Sequence, residues 1–104
     1  MDLKGKICVV TGGAQGIGRT IVETFVRYGA EKVYACDVNA EALKQTEQDL
    51  ENVTGYQLNV TDPDAIGAFA KTVAERDGRI DVLVNNAGIT RDALVQKMSD
   101  DEWN

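Results

Sequence analysis

Four short runs of apolar, largely β-branched residues punctuate the chain: Lys6–Thr11, Lys32–Cys36, Gly55–Val60 and Ile80–Asn85. They are almost continuous in hydrophobicity, the pattern of strands covered on both faces. Between them the apolar positions switch to spacings of three and four, which predict helices. The first helix puts Ile17, Ile21, Phe25 and Tyr28 on one stripe with Val22 and Val26 beside it, and Gly29 stops it from the C′ position. The second covers Ala40–Glu51, with Asn39 as N-cap and Leu43 and Leu50 turned inward. The third opens at Asp62-Pro63, an N-cap followed by proline at N1, turns Ile66, Phe69, Ala70 and Val73 inward, and ends at Gly78. The order β-α-β-α-β-α-β predicts a Rossmann-type, doubly wound α/β fold: a parallel sheet of strand order 3-2-1-4 with helices on both faces.

The C-terminal residues add the start of a fourth helix. Ser99-Asp100-Asp101-Glu102 is a capping box, and Trp103 follows as an early apolar anchor. The chain stops at Asn104, barely one turn in, and so short a helix is unfavourable alone. Residues 1–104 are therefore expected to be the N-terminal part of a single, longer Rossmann-type domain, truncated in four strands. Strand four then stands at an open edge with Ile80, Val82, Leu83 and Val84, and self-association through that edge is expected.

The chemistry lies where the first strand meets the first helix. Positions 12–18 hold four glycines, in Thr11-Gly12-Gly13-Ala14-Gln15-Gly16-Ile17-Gly18. Glycines let backbone amides approach an anion, and a helix N-terminus adds unpaired N–H groups and a positive dipole end. A plain tight turn needs fewer glycines, so the loop reads as a phosphate site. The spacing is Gly-x-x-x-Gly-x-Gly, and a P-loop would need Lys-Ser/Thr where Arg19-Thr20 stands. Asp37 closes the second strand, where a carboxylate accepts hydrogen bonds from a ribose diol. A 2′-phosphate would meet like charge there, and neither Gln15 nor Val38 supplies a cation, so NAD is expected over NADP.

Composition removes other chemistries. Net charge is −6 with no Lys/Arg stripe, which argues against nucleic acid and anionic membranes as partners. No apolar run reaches the roughly 18 residues of a bilayer span, and Met1-Asp2-Leu3-Lys4 lacks a signal-peptide start. A cytoplasmic protein is expected. The chain has no His and its one Ser is Ser99, so Ser-His-Asp hydrolysis and a His-ligated metal are excluded within it. Cys8 and Cys36, near opposite ends of neighbouring strands, stand too far apart for a disulfide and are expected as buried thiols.

At this point the chain resembles the short-chain dehydrogenase/reductase family. Its Thr-Gly-x-x-x-Gly-x-Gly loop appears as Thr11 to Gly18, and its Asn-Asn-Ala-Gly turn after the fourth strand as Asn85-Asn86-Ala87-Gly88. The resemblance implies that Gly12, Gly16, Gly18 and the backbone around Gln15 and Ile17 contact pyrophosphate, while Asp37 holds the adenosine ribose. It implies that Asn86, Ala87 and Gly88 line the centre of the cofactor, with Thr11 tying the loop to that strand end. Asn59-Val60 stands where the family often has Asp-Val against adenine, and the amide oxygen is expected to accept from the adenine amino group.

Gly88-Ile89-Thr90-Arg91-Asp92-Ala93-Leu94, followed by Lys97-Met98 and Glu102-Trp103, resembles the β-ketoacyl-acyl-carrier-protein reductase branch, and acetoacetyl-CoA reductases share much of it. This implies NAD(P)(H) and a 3-oxoacyl thioester or related ketone as partners of the parent protein, within a homo-oligomer. That branch often uses NADPH, at odds with Asp37. The family's catalytic Tyr-x-x-x-Lys is matched literally by Tyr28 to Lys32, but that stretch straddles a helix end at Gly29. Nor do Ser99 and Asn104 occupy the family's catalytic positions, so no catalytic residue is expected in the chain, which alone should be inactive. Two alternatives are a non-catalytic NAD-binding module and an S-adenosylmethionine-dependent methyltransferase; the Asn-Asn-Ala-Gly turn argues against the second.

Overall fold

The structure, a computed structural model, describes residues 2–86. Expectations for Ala87, Gly88, the Ser99 capping box and Trp103 lie outside those residues. Seven elements follow in order: β1 (Ile7–Thr11), α1 (Gly16–Arg27), β2 (Lys32–Asp37), α2 (Ala40–Asp49), β3 (Val53–Gln57), α3 (Pro63–Asp77) and β4 (Val82–Asn85). The four strands make one parallel sheet in the order β3-β2-β1-β4.

Alternation along β1 and β2 divides the core in two. Cys8, Val10, Val33 and Ala35 face Val22 and Phe25 of α1 and Leu43 of α2. Ile7, Val9, Tyr34 and Cys36 face Phe69 and Val73 of α3. Both faces of the two central strands are therefore dry, which is why their sequences are continuous apolar runs rather than alternating ones. Tyr34 and Tyr56 each meet the Phe69 ring edge-on, at 5.7 and 4.8 Å between centroids. The first two helices lie on one face and the third on the other, so the strand order reverses between the parallel neighbours β1 and β4. In open α/β sheets ligands bind at such a switch point, beyond the strands' C-terminal ends.

The helix ends follow the expected chemistry. Asn39 Oδ1 accepts from Ala42 N–H at 3.0 Å, and Asp62 Oδ1 accepts from the amides of Asp64 and Ala65. After α1, Gly29 N–H donates to Val26 O and Ala30 N–H to Phe25 O, the bond pair of a Schellman end.

Four expectations need correction. β3 begins at Val53 and ends at Gln57, not Gly55–Val60, so Tyr56 lies near its C-terminal end rather than at its start. Asn52, at φ 62°, makes the turn that brings Val53 beside Val33, and this pairing fixes the register that hydrophobicity alone misplaced. α2 stops at Asp49, with Leu50 already extended. Tyr28, expected in the core, caps α1 and is 40% exposed; Ile17, expected on the buried stripe, is 72% exposed. Helical periodicity overran the last turn in one case and the first turn in the other.

Cys8 and Cys36 are free and buried, and Cys36 pairs with Thr11, three residues further along β1 than Cys8. Among the described residues no helix is long and apolar enough to cross a membrane, and no group of three or more His, Cys, Asp or Glu could hold a metal.

Candidate functional site

The loop after β1 is held to the neighbouring strand ends by specific bonds. Thr11 is buried, and its hydroxyl donates to Asn85 Oδ1 at 2.6 Å while accepting from Asn86 N–H at 2.9 Å. That one side chain ties β1 to the end of β4. Asn85, also buried, therefore takes part in the tie, whereas the turn motif implies a role only for the residues after it. On the other side Gly13 N–H donates to Cys36 O at 3.0 Å.

Two glycines do different work here. Gly18 permits close packing: a Cβ there would stand 1.8 Å from Gly12 O and 2.8 Å from Asn86 Nδ2. The first turn of α1 thus rests directly on the loop and on Asn86. Gly16 is at φ +57°, and a Cβ there would meet nothing within 4 Å. It marks open space at the rim. Gly13, absent from the expected site, is also tightly enclosed, with Val10 O 2.9 Å from its would-be Cβ.

The N-terminus of α1 differs from the other two. Its N-cap, Gln15, makes no side-chain bond to the first-turn amides, and the first turn carries no acidic residue. α2 has Asn39 and Glu41 in those roles, and α3 has Asp62 and Asp64. The positive end of α1 is therefore not offset by a cap or acid of its own, a setting that suits an anion. Arg19 does not occupy it, because its guanidinium pairs with Asp49 Oδ2 at 3.0 Å and with Glu23 Oε2 at 3.3 Å. Thr20 donates to Gly16 O within the helix. Neither side chain plays the part that a P-loop Lys-Ser/Thr pair plays.

Asp37 ends β2 beside the loop. Its Oδ2 accepts from Ala14 N–H at 3.2 Å and its Oδ1 from Asn39 N–H at 3.1 Å, so the carboxylate is fixed in place. It lines an open cleft of about 200 Å³ together with Gly12, Val38, Leu58, Asn59, Val60 and Thr61. Four expected residues (Gly12, Asp37, Asn59 and Val60) share this cleft. Gln15, Gly16, Ile17 and Gly18 form the start of α1, and Asn86 abuts Gly12 and Gly18. Asn59 Oδ1, expected to face an adenine amino group, accepts instead from Thr61 N–H at 3.0 Å and Thr61 Oγ1 at 2.6 Å. Leu58 and Thr61 join the cleft without any signal in the sequence, and Val38, expected there only as a position lacking a cation, adds an apolar wall. Val38 is 61% exposed and stands immediately after the expected ribose carboxylate.

The Tyr28 to Lys32 match does not assemble into a pair. Tyr28 O accepts from Leu3 N–H, while Lys32 opens β2 at the end opposite Asp37. Lys32 Nζ pairs with Asp77 Oδ1 at 3.2 Å, and Tyr34 donates to Asp77 Oδ2 at 2.5 Å. Nor is either cysteine a nucleophile: burial, and then Asp81, push the Cys8 thiol up to about 11, and burial pushes Cys36 up as well.

Known proteins carry the same segment. The family model described as short chain dehydrogenase matches residues 6–104. The 3-oxoacyl-[acyl-carrier-protein] reductase of Vibrio harveyi is 49% identical over 104 residues, covering all of this chain and 43% of that protein. The reductase of the same description from Thermotoga maritima is 46% identical over 107 residues, 99% of this chain and 43% of its own length. The chain thus spans well under half the length of these relatives. A metagenomic short-chain oxidoreductase solved in complex with NADP superposes with a TM-score of 0.79 at 36% identity, over 84% of this chain and 41% of that one. Hydroxysteroid dehydrogenase from Escherichia coli gives 0.78 at 32% identity, over 85% and 39%. An NADP complex among these neighbours gives no support to NAD over NADP. On its match over residues 6–104, the chain belongs to the short-chain dehydrogenase family.

Proposed function

We propose that residues 1–104 are the N-terminal, dinucleotide-binding part of a single Rossmann domain in an NAD(P)-dependent oxidoreductase that reduces a 3-oxoacyl thioester or related ketone. The observation that carries this reading is the N-terminus of α1: without a side-chain cap or first-turn acid, it opens through Gly16 beside a cleft closed by Asp37. The amides of Gly16, Ile17 and Gly18 would hold pyrophosphate. Asp37 would accept from the adenosine ribose diol, with Val38 and Val60 against the base. Asn86, with Ala87 and Gly88 after it, would line the centre of the cofactor. When bound, the nicotinamide supplies the hydride, and the chain's own part is to bind and orient it. Asp37, held by two backbone amides, favours a diol over a 2′-phosphate, which supports NAD as the preferred form. The substrate class is supported by the likeness to the two reductases.

The test is consumption of NADH or NADPH by the full-length protein with an acetoacetyl thioester, followed by nicotinamide absorbance. Thioester-dependent oxidation is expected, faster with NADH, and the pair Asp37→Ala with Val38→Arg should move the preference toward NADPH. The 104-residue chain should give no turnover. Tight dinucleotide binding by the full-length protein without reduction of any ketone would leave a binding module and overturn the enzyme reading.

A further inference from the structure

Among the described residues β3 is an outer strand of the sheet, so one side of it meets no other strand there. Open edges of this kind pair with other chains unless something covers them. The ladder shows which amides face out. Val33 N–H donates to Asn52 O at 2.9 Å and Leu58 N–H donates to Asp37 O at 3.0 Å. With Val33 opposite Val53 and Asp37 opposite Gln57, the parallel alternation directs the amides of Thr54 and Tyr56 toward β2. The amide of Gly55, at the middle of the strand, then faces outward.

That amide is already taken. Gly55 N–H donates to Glu47 Oε2 at 2.6 Å, so a side chain of α2 reaches round to the strand's free edge. It can do so because residue 55 has no side chain. A Cβ at Gly55 would stand 3.1 Å from Leu43 Cβ and 3.3 Å from both Glu47 Cδ and Oε2, closer than ordinary contact. Gly is disfavoured in strand interiors, and here the close approach of the helix accounts for it.

We propose that Glu47 and Gly55 form an edge guard that prevents a second copy of this chain from adding to β3. An incoming strand needs the Gly55 N–H as a donor. It would have to break a charge-assisted hydrogen bond, which weakens pairing by on the order of ten- to a hundredfold. It would also bring its own carbonyl oxygens against a carboxylate, on a segment already at net charge −6. Glu47 does not line the dinucleotide cleft, so this inference stands apart from the proposed function.

The experiment compares full-length wild type with Glu47→Ala by sedimentation over a wide concentration range, with hydrogen exchange to locate any new contact. The expected result is a species larger than the wild-type assembly, formed at least about tenfold more tightly than any in wild type, with the Val53–Gln57 amides slowing as concentration rises. A folded Glu47→Ala protein that keeps the wild-type assembly overturns the proposal, as does association that protects other amides. If Glu47→Ala does not fold, wild type decides. Gly55 exchange on the order of ten- to a hundredfold slower than an open amide supports the guard, and exchange at the open rate overturns it.

Discussion

Gly18 and Gly67 are both helical glycines, yet the same substitution should act on them with opposite sign. Replacing a helix-interior glycine by alanine gains about 0.8–1.0 kcal/mol of intrinsic propensity. At Gly67, on the exposed side of α3, a Cβ would meet nothing within 4 Å, so Gly67→Ala should keep that gain. At Gly18 the Cβ would stand 1.8 Å from Gly12 O and 2.6 Å from Gly12 C. Ordinary contact begins near 3.4 Å, so helix and loop must part by more than an ångström. Both colliding atoms belong to backbone, which cannot rotate away as a side-chain tip would. Overpacking of this kind costs about 3 kcal/mol, and subtracting the propensity gain leaves a net loss of about 2 kcal/mol. Urea unfolding of the two variants would show the midpoint raised for Gly67→Ala and lowered for Gly18→Ala, at unchanged slope. Gly18→Ala as stable as wild type would refute the claim that α1 rests directly on the glycine loop.

Three further outcomes follow from the same geometry. Thr11→Val removes a buried hydroxyl that both donates and accepts, so it should destabilise by about 2 kcal/mol; a loss under a few tenths in urea would show that the tie between β1 and β4 is weak. Cys8, with its thiol pushed up to about 11, and buried Cys36 should resist alkylation at pH 8 until denaturant is added; peptide mass spectrometry showing rapid native labelling would contradict their burial. Ile7 N–H, then Arg79, hold the Asp81 carboxyl below its ordinary value. The folded value is the depressed one, so this stabilisation is full above about pH 4 and is lost as pH falls through the folded-state value. The acid-side fall in melting temperature should flatten in Asp81→Asn, and an unchanged fall would contradict the assignment.

The order of elements was legible because each signal was local and strong. Asp62-Pro63 and Gly78 bracket α3 with residues that have few other uses, and both caps form as expected. The placement of the glycine loop between β1 and α1, and of Asp37 at the end of β2, was legible for the same reason: the elements on either side are strongly signalled. What could not be read depended on partners distant in sequence. The start of β3 is set by Val53 lying against Val33, and nothing in Gly55–Val60 announces that Leu58 and Val60 leave the sheet to line a cleft. Ile17 satisfies the helical stripe of α1 but belongs to its first turn, where the stripe has already left the core. Asn59 looked free to meet a ligand, and the hydroxyl two residues later, Thr61, takes its oxygen instead. Asn85 was passed over in favour of Asn86, because only the folded register sets it against the Thr11 hydroxyl.

The central claim is that the first turn of α1 binds the pyrophosphate of a nicotinamide dinucleotide. Its most direct test is calorimetric titration of NADH into the full-length protein, wild type and Gly16→Ala. The protein itself leaves room for that Cβ, although a left-handed alanine costs about 1–2 kcal/mol of stability. Circular dichroism first establishes that the variant is folded. The account predicts one dinucleotide per wild-type chain and binding weakened at least about tenfold in folded Gly16→Ala, because the added methyl stands where phosphate must approach the amides. Equal affinity in the two proteins would contradict it and place the pyrophosphate elsewhere.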